Sequence, residues 1–177
     1  MIYFQSDDIV IRDFAESDAQ IITDEEIAQG WVNQKIDKYL NRMKDQKAGK
    51  CISLAAEYQG NVAGYVNVYP NSQWGALGGR GYAEIIDFGV LEKYRKHGIG
   101  SKLMDVAEQI ASKYADTVYL GVGLHRDYGS AQRMYVKRGY VPDASGLWYT
   151  DKQLEPYAPM NNDDEACLYL SKKIKRG

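Results

Sequence analysis

The chain has 177 residues, 45% of them hydrophobic and 26% charged, and it carries a formal net charge of −2. This length and mixture are typical of one globular domain, which we expect to span residues 1–177. The charge gives no reason to expect a nucleic-acid partner. Without a long apolar run or a basic leader ahead of one, the sequence indicates neither a membrane protein nor an exported one, and we expect a cytoplasmic location.

The first half of the chain alternates strand-like hydrophobic runs with stretches whose apolar residues recur at helical spacing. Ile36, Leu40 and Met43, for example, fall on one face of a helix. Two β-rich runs flank Gly60-Asn61, which is the pattern of a hairpin. The predicted elements are a strand beginning at Ile9, a helix over about 19–29 with Ser17 or Asp18 as N-cap, a helix over about 33–46, and hairpin strands over 51–58 and 62–69.

Residues 70–82 interrupt this regularity with Pro70 and several glycines, and they include Trp74. A glycine-rich loop that carries an aromatic side chain is suited to form a mobile wall of a substrate site, with Trp74 as a substrate-binding residue. The alternative interpretation is a flexible connection between two strands. The sequence leaves both open.

The second half of the chain predicts strands that alternate with helices. A strand over Glu84–Val90 precedes a helix that begins at Ile99. The remaining elements are a strand over 117–122, a helix over about 128–138 ended by Gly139, a strand beginning at Tyr140, an irregular stretch over 142–165 and a last strand over 166–170. Hairpins early and strand–helix repeats later predict an α/β (α+β) fold, with a mixed sheet covered by helices on both faces.

A basic, glycine-punctuated turn, Arg95-Lys96-His97-Gly98-Ile99-Gly100, joins the strand at Glu84–Val90 to the following helix. The start of a helix offers backbone N–H groups without intrahelical acceptors, together with a partial positive charge. Glycines let a phosphate approach the backbone, and the three side chains ahead of Gly98 add to the attraction. This turn therefore predicts a site for a diphosphate or polyphosphate.

The histidines and cysteines of the chain are scattered, and no set of them has the spacing of metal ligands, so we expect no metal site. Cys51 and Cys167 lie in separate strand-like runs. We expect them to be buried free thiols rather than a disulfide.

Two stretches of the chain match motifs of a known family. Arg95-x-x-Gly98-x-Gly100 is similar to a Gln/Arg-x-x-Gly-x-Gly/Ala pyrophosphate loop, and it has the expected position between a strand and an amphipathic helix. The run Ala131–Tyr140 is similar to an Ala-x-x-Leu-Tyr-x-x-x-Gly-Phe helix. Through both motifs the chain resembles the GCN5-related N-acetyltransferase (GNAT) superfamily over nearly its whole length.

The resemblance implies a mostly antiparallel sheet of six to seven strands that splays between the fourth and fifth strands, with acetyl-CoA as co-substrate in the gap. Phe88 and Val90 would bind pantetheine through their main chain, while Gly89 suits a bulge or a close backbone approach. Tyr128 stands where many members carry a pantetheine-binding asparagine, and Ser130 or Asp127 would substitute for it. The diphosphate would be bound by Arg95, Lys96, His97, Gly98, Ile99, Gly100 and Ser101.

The resemblance also implies catalytic roles. Tyr135 is similar to the tyrosine that contacts the cofactor and protonates the departing thiolate, because a phenol with a pKa of about 10 stays protonated at neutral pH. The alternative for Tyr135 is a core aromatic. Glu84 is similar to the catalytic base of histone-type members, the alternative being a carboxylate paired with Arg80. Asp87 would point to the opposite face of a regular strand, as a second candidate base or a substrate-binding residue.

These features together predict an acetyl-CoA-dependent N-acetyltransferase acting on a primary amine, with a small molecule as the expected acceptor. Neither cysteine is near the motifs, so transfer would be direct, within a ternary complex. A protein or peptide acceptor is the alternative in the same class, and a non-catalytic acyl-CoA-binding regulatory module is the alternative in another class. Dimers are common among similar proteins, so the resemblance also implies that a homodimer can form.

Overall fold

The computed structural model of the protein describes residues 1–32 and 34–177. The predicted start of the second helix, Asn33, lies outside these residues. The strands are β1 (Ile2–Gln5), β2 (Ile9–Asp13), β3 (Ile52–Tyr58), β4 (Asn61–Tyr69), β5 (Ala83–Val90), β6 (Thr117–Gly123), β7 (Val141–Tyr149), β8 (Lys152–Gln153) and β9 (Ala166–Lys173). The α-helices are α1 (Glu16–Ala28), α2 (Asp37–Lys47), α3 (Ile99–Ser112) and α4 (Gly129–Lys137).

The strands form one mixed sheet in the order β1-β2-β3-β4-β5-β6-β9-β7-β8. Strand β5 pairs with β6 in parallel through Ala83 and Glu84, whereas the pairings of β1 to β4 with one another and of β9 with β6 and β7 are antiparallel. The fold class expected from the sequence is confirmed, as a mostly antiparallel sheet of nine strands in the described residues.

The sheet has more strands than the six to seven expected, because β1 and β8 were not predicted, and β7 extends further than the strand expected from Tyr140. The stretch 142–165, predicted to be irregular, contains most of β7 and all of β8. Pro142 and Gly146 lie within β7, and the register of β7 on β9 shifts between Pro142 and Leu147. The strand therefore lacks the regular apolar alternation by which strands are recognised.

The chain divides into two compact units, residues 1–69 with 85–110 and residues 70–84 with 111–177. In the first unit, α1 and α2 pack against each other, α1 on β4 and α2 on β3. Tyr39 and Tyr65 belong to the buried cluster that they enclose. A side chain of α3, Leu103, approaches Gly64, which alternates with Tyr65 along β4, so α3 covers the opposite face.

The start of α1 differs from the prediction. The helix begins at Glu16, and Ala15, rather than Ser17 or Asp18, has the N-cap position. Asp18 still acts at this terminus, because its Oδ2 accepts a 2.8 Å hydrogen bond from the N–H of Ala15. Arg12 donates to both oxygens of the same buried carboxylate, so Asp18 also joins β2 to the start of α1.

The core of the second unit is aromatic. Leu77, Tyr119 and Tyr169 are buried together, and Trp148 packs edge-on against Tyr169 with ring centroids 5.4 Å apart. The two cysteines are free thiols, Cys51 buried and Cys167 half-buried. Within residues 1–32 and 34–177, no helix has the length and apolar character needed to cross a bilayer, and no group of acidic, histidine and cysteine side chains is arranged to hold a metal ion.

Candidate active site

The predicted phosphate turn forms an exposed loop at the start of α3 in the first unit. After β5, a 3-10 turn over Glu92–Tyr94 leads into Arg95 and Lys96, and α3 begins at Ile99. Lys96 and Gly98 both have left-handed backbones, with φ values of 66° and 80°. Residues 95–98 are exposed, so the N–H groups of the first turn of α3 begin at an open surface.

The two glycines of the turn serve different purposes. A Cβ built on Gly98 would meet nothing within 4 Å, so the requirement for glycine there is its backbone conformation and the open approach to the helix start. A Cβ on Gly100 would lie 3.1 Å from the ring of Phe88. Gly100 therefore lets α3 pack closely on β5. An open, glycine-bearing helix start beside basic side chains fits the diphosphate of acetyl-CoA.

The basic side chains of the turn also hold the loop together. Arg95 donates through Nε to the carbonyl of Val90 at 3.2 Å and stacks over the Trp31 ring, 5.7 Å from its centroid. The ring of His97 lies 4.6 Å from that of Tyr58. Arg95 thus fixes the end of β5 relative to the loop.

Gly89 lies directly against Tyr65 of β4. A Cβ on Gly89 would lie 2.8 Å from both Cζ and Oη of Tyr65, a distance that side chains do not tolerate. The predicted close approach at Gly89 is therefore present, and the approaching group is a tyrosine of the same unit. Sequence reasoning did not single out Tyr65.

Asp87 is tied to α2 and β4. Its Oδ2 accepts a 2.6 Å hydrogen bond from Nε of Arg42 and a 3.3 Å hydrogen bond from Nδ2 of Asn67. Asp87 also has a left-handed backbone, with φ of 55°, so the regular pleat that strand alternation assumes is interrupted at this residue. Its charge is neutralised by Arg42, which favours a positioning role over that of a base.

A buried polar cluster missed by the sequence reasoning lies beside Gly89. Glu26 of α1 is fully buried and accepts hydrogen bonds from the hydroxyls of Tyr39, at 2.6 Å, and Tyr65, at 2.5 Å. Burial, followed by the neighbouring Tyr39 and Glu26, raises the pKa of Tyr65 well above its usual value. A signal was available, because Glu26 follows the buried Ala19 and Ile22 at helical spacing on the core-facing side of α1.

Glu84 lies in the second unit and is nearly fully buried. Its Oε2 accepts a 2.5 Å hydrogen bond from the hydroxyl of Ser72, and the Tyr119 ring is on the strand beside it. Burial and then the charge of Glu84 raise the pKa of Tyr119. The hydroxyl of Tyr119 donates to the backbone carbonyl of Trp74 at 2.7 Å. Trp74 is therefore held through its backbone, while its side chain is half exposed.

Tyr135 lies in α4, also in the second unit. It is 5% exposed, and burial raises its pKa, so the phenol keeps its proton throughout the neutral range. Its ring packs edge-on against that of Tyr140, with centroids 5.9 Å apart. Ser130, near the start of the same helix, is exposed.

Tyr128 occupies the position of the expected asparagine, and it packs against Gly123 and binds Asp164. A Cβ on Gly123 would lie 2.3 Å from the Tyr128 ring, so the glycine provides the space for this larger side chain. Oδ1 of Asp164 accepts a hydrogen bond from the Tyr128 hydroxyl and lies 2.9 Å from Nε2 of His125. The acidic residues before β9 are thus partly engaged with His125 and Tyr128.

The functional groups of the two units are those that acetyl transfer requires. The first unit has the helix start for a diphosphate and the strand end Phe88–Val90, and the second has a buried carboxylate, Glu84, and a buried phenol, Tyr135. A carboxylate can accept a proton from an ammonium, and a protonated phenol can donate one to a developing thiolate.

Comparison with known proteins agrees with this chemistry. A sequence model of the acetyltransferase (GNAT) family matches residues 19–140. No curated protein sequence matches the chain. Among solved structures, yncA of Salmonella typhimurium, described as a putative acetyltransferase with its cofactor acetyl-CoA, is 14% identical with a TM-score of 0.68, over 97% of this chain and 96% of that one.

Two further structures share the fold. Ard1 from Thermoplasma volcanium is 20% identical with a TM-score of 0.68, over 94% of this chain and 97% of that one. Naa50 of Arabidopsis thaliana, in complex with the bisubstrate analogue CoA-Ac-MVNAL, is 19% identical with a TM-score of 0.63, over 94% and 99% of the two chains. The family model covers more than half of this chain, and the chain therefore belongs to the acetyltransferase (GNAT) family, with acetyl-CoA as its co-substrate.

Proposed function

We propose that this acetyl-CoA-dependent N-acetyltransferase acetylates a small-molecule primary amine by direct transfer in a ternary complex. The observation that carries the proposal is the buried carboxylate of Glu84, whose Oε2 is held by Ser72 at 2.5 Å. A carboxylate that is shielded from water and held in one orientation is suited to receive a proton from a bound ammonium. The net charge of −2 favours a cationic acceptor over an acidic one.

In the proposed mechanism, Phe88 and Val90 bind the pantetheine arm, while the turn Arg95–Ser101 binds the diphosphate. Glu84 removes a proton from the acceptor ammonium, directly or through a water molecule, and the free amine attacks the thioester carbonyl. Tyr135 then donates its phenolic proton to the departing sulfur, and the surplus proton on the newly acetylated nitrogen restores the phenol. Burial keeps the Tyr135 phenol protonated at neutral pH. Its raised pKa also makes it a weaker acid, so the proton moves to the sulfur only as negative charge develops there.

A protein or peptide N-terminus is the second candidate acceptor. It is favoured by the fold that this chain shares with Naa50, whose structure contains a bisubstrate analogue carrying the sequence MVNAL. An N-terminal amine and a small primary amine need the same loss of a proton. They differ in whether the chain must also bind the residues that follow.

The deciding experiment measures CoA thiol release from acetyl-CoA with two matched panels. One contains polyamines, aminoglycosides and amino-acid amides, and the other contains short peptides with free or blocked N-termini. Turnover of small amines at higher kcat/KM than of any peptide supports the proposal. Preference for free-N-terminal peptides would replace it with the second candidate. A rise in melting temperature with acetyl-CoA but no thiol release by either panel would contradict both.

A further inference from the structure

Lys38, the second residue of α2, has its ammonium held by a cradle that we define as Glu26, Tyr39 and Tyr65. Its Nζ lies 3.9 Å from Oε2 of Glu26 and donates to the Tyr65 hydroxyl at 3.3 Å. It also lies 4.6 Å from the centroid of the Tyr39 ring and 5.3 Å from that of Tyr65. Aromatic faces together with a carboxylate form a recognition site for an ammonium group.

The position of Lys38 is not explained by the stability of its helix. A positive charge in the first turn of a helix opposes the helix dipole. Its charge is compensated by Glu26, which is fully buried, while the Lys38 side chain remains 35% exposed. The Lys38 side chain therefore lies at the boundary between the protein interior and the solvent.

The cradle borders the strand end where we propose that the acetyl thioester binds. Oη of Tyr65, which accepts the hydrogen bond from Lys38, is the atom that would lie 2.8 Å from a Cβ on Gly89. The Tyr65 hydroxyl thus contacts the Lys38 ammonium and also lies beside Gly89. All of these residues belong to the first unit.

We propose that Lys38 is a self-acetylation site, modified by the acetyl-CoA bound to the same chain. The inference rests on the proposed function, because it requires the thioester to lie beside Phe88–Val90. It requires no external acceptor, and it assigns to Lys38 and its cradle a role in the reaction of the enzyme with its own co-substrate.

The step balances as an ordinary acyl transfer. The Lys38 ammonium, whose side chain is 35% exposed, gives one proton to a solvent water molecule. The neutral amine attacks the thioester carbonyl, a nitrogen–carbon bond forms, and the carbon–sulfur bond breaks. The second proton leaves the nitrogen and is taken up by the thiolate. The products are Nε-acetyl-lysine, free CoA thiol and one proton released to solvent.

Self-acetylation would remove the positive charge from the cradle. The amide cannot pair with the carboxylate of Glu26 or interact with the two rings as a cation. Glu26 would keep its hydrogen bonds from Tyr39 and Tyr65. The modified chain is therefore expected to fold, but no positive charge remains within the cradle.

Nonspecific acetylation would produce a different pattern, because it follows exposure. The side chain of Lys93 is 51% exposed and that of Lys173 is 74% exposed, against 35% for Lys38. Lys35, three residues ahead of Lys38, is also exposed. Preferential labelling of Lys38 over these lysines would thus report proximity to the bound thioester.

The test incubates the full chain with isotopically heavy acetyl-CoA and no acceptor, and maps heavy acetyl-lysine by mass spectrometry over time. We expect Lys38 to be labelled about tenfold faster than Lys35, Lys93 or Lys173, because a bound thioester acts at a high effective concentration. The rate constant should be independent of protein concentration, and excess CoA should suppress it. Acetyl phosphate as donor should instead label according to exposure, and Lys38→Arg should lose only the Lys38 signal.

Thermal shift with acetyl-CoA, measured on the same samples, separates the two proposals. A shift without labelling at Lys38, equal labelling of exposed lysines, or a rate that rises with protein concentration would overturn self-acetylation and leave the proposed function intact. The absence of a shift at any acetyl-CoA concentration would contradict the proposed placement of the co-substrate, and self-acetylation with it.

Discussion

The hydroxyl of Tyr65 donates a 2.5 Å hydrogen bond to Oε1 of Glu26, a carboxylate with no solvent exposure. Tyr39 donates to the second oxygen, so both oxygens have a phenolic partner. Burying a carboxylate is costly unless its oxygens are hydrogen-bonded. The arrangement therefore makes Glu26 a structural requirement of the first unit and fixes Tyr65 against Gly89.

Replacing Glu26 with alanine is expected to lower the free energy of unfolding by about 3 kcal/mol, because two buried hydroxyls lose their acceptor. Glu26→Gln should cost less, since the amide oxygen still accepts one of the hydrogen bonds. Urea unfolding measures both. Glu25→Ala is the matched control, because Glu25 is a partly exposed neighbour paired with Lys93 and its loss should cost under about 1 kcal/mol. Equal losses for Glu25→Ala and Glu26→Ala would contradict the structural role.

The stability of the fold is expected to fall in alkali. Burial raises the pKa of Tyr65 and Tyr135, so the fold favours the neutral phenols. Their contribution is fully present below the unfolded-state pKa of about 10 and is lost as the pH rises above it. Urea midpoints should therefore decline above about pH 10. Tyrosinate absorbance should rise together with unfolding, because the buried phenols ionise only once they are exposed. Tyr157→Phe, at a fully exposed tyrosine, should not move this transition.

The donor role of Tyr135 predicts a loss of turnover without a loss of co-substrate binding. Tyr135→Phe removes the proton donor and keeps the buried ring, so kcat should fall by about 100-fold with little change in acetyl-CoA affinity. Tyr140→Phe is the control, because its ring packs 5.9 Å from that of Tyr135 and it has no proposed catalytic role. If Tyr135→Phe and Tyr140→Phe have the same kcat as the parent chain, Tyr135 is only a core aromatic.

The hairpin of β3 and β4 shows what the sequence could predict. The predicted strands over 51–58 and 62–69 agree with the observed Ile52–Tyr58 and Asn61–Tyr69 within a residue at each end. Gly60 adopts the left-handed φ of 79° that its place in the turn requires. Local patterns and turn chemistry determined this element, as they did the turn before α3.

The features that could not be predicted depend on residues distant in sequence. Glu26, Tyr39 and Tyr65 come from two helices and a strand, and only the packing of α1 and α2 on the sheet brings them together. The left-handed backbone at Asp87 was equally hidden, because the strand residues around it have an ordinary apolar pattern. Strand periodicity assumes a regular pleat, and a single left-handed residue breaks that assumption.

The two candidate bases predict different pH profiles for their amide variants. Glu84→Gln keeps an acceptor for Ser72 but cannot take a proton, so the rate should depend on amine already deprotonated in solution and its profile should move to higher pH. Asp87→Asn should leave the profile in place and lower stability by about 2 kcal/mol, through loss of the charged hydrogen bond from Arg42. Asparagine tolerates the left-handed backbone, so this variant tests the charge alone. A shifted profile for Asp87→Asn and not for Glu84→Gln would exchange their roles.

The phosphate turn is tested by comparing two glycines of similar conformation. Gly98 and Gly60 have φ values of 80° and 79°, and an added Cβ meets nothing within 4 Å at either position. Alanine should therefore cost each a similar conformational strain, about 1 kcal/mol. Only Gly98→Ala places a methyl group at the open start of α3, where it would obstruct a phosphate, so the KM for acetyl-CoA should rise about tenfold in this variant and stay unchanged in Gly60→Ala. Since urea unfolding should show matching stability losses, an equal change in KM for both variants would attribute the effect to general destabilisation and remove the turn from the co-substrate site.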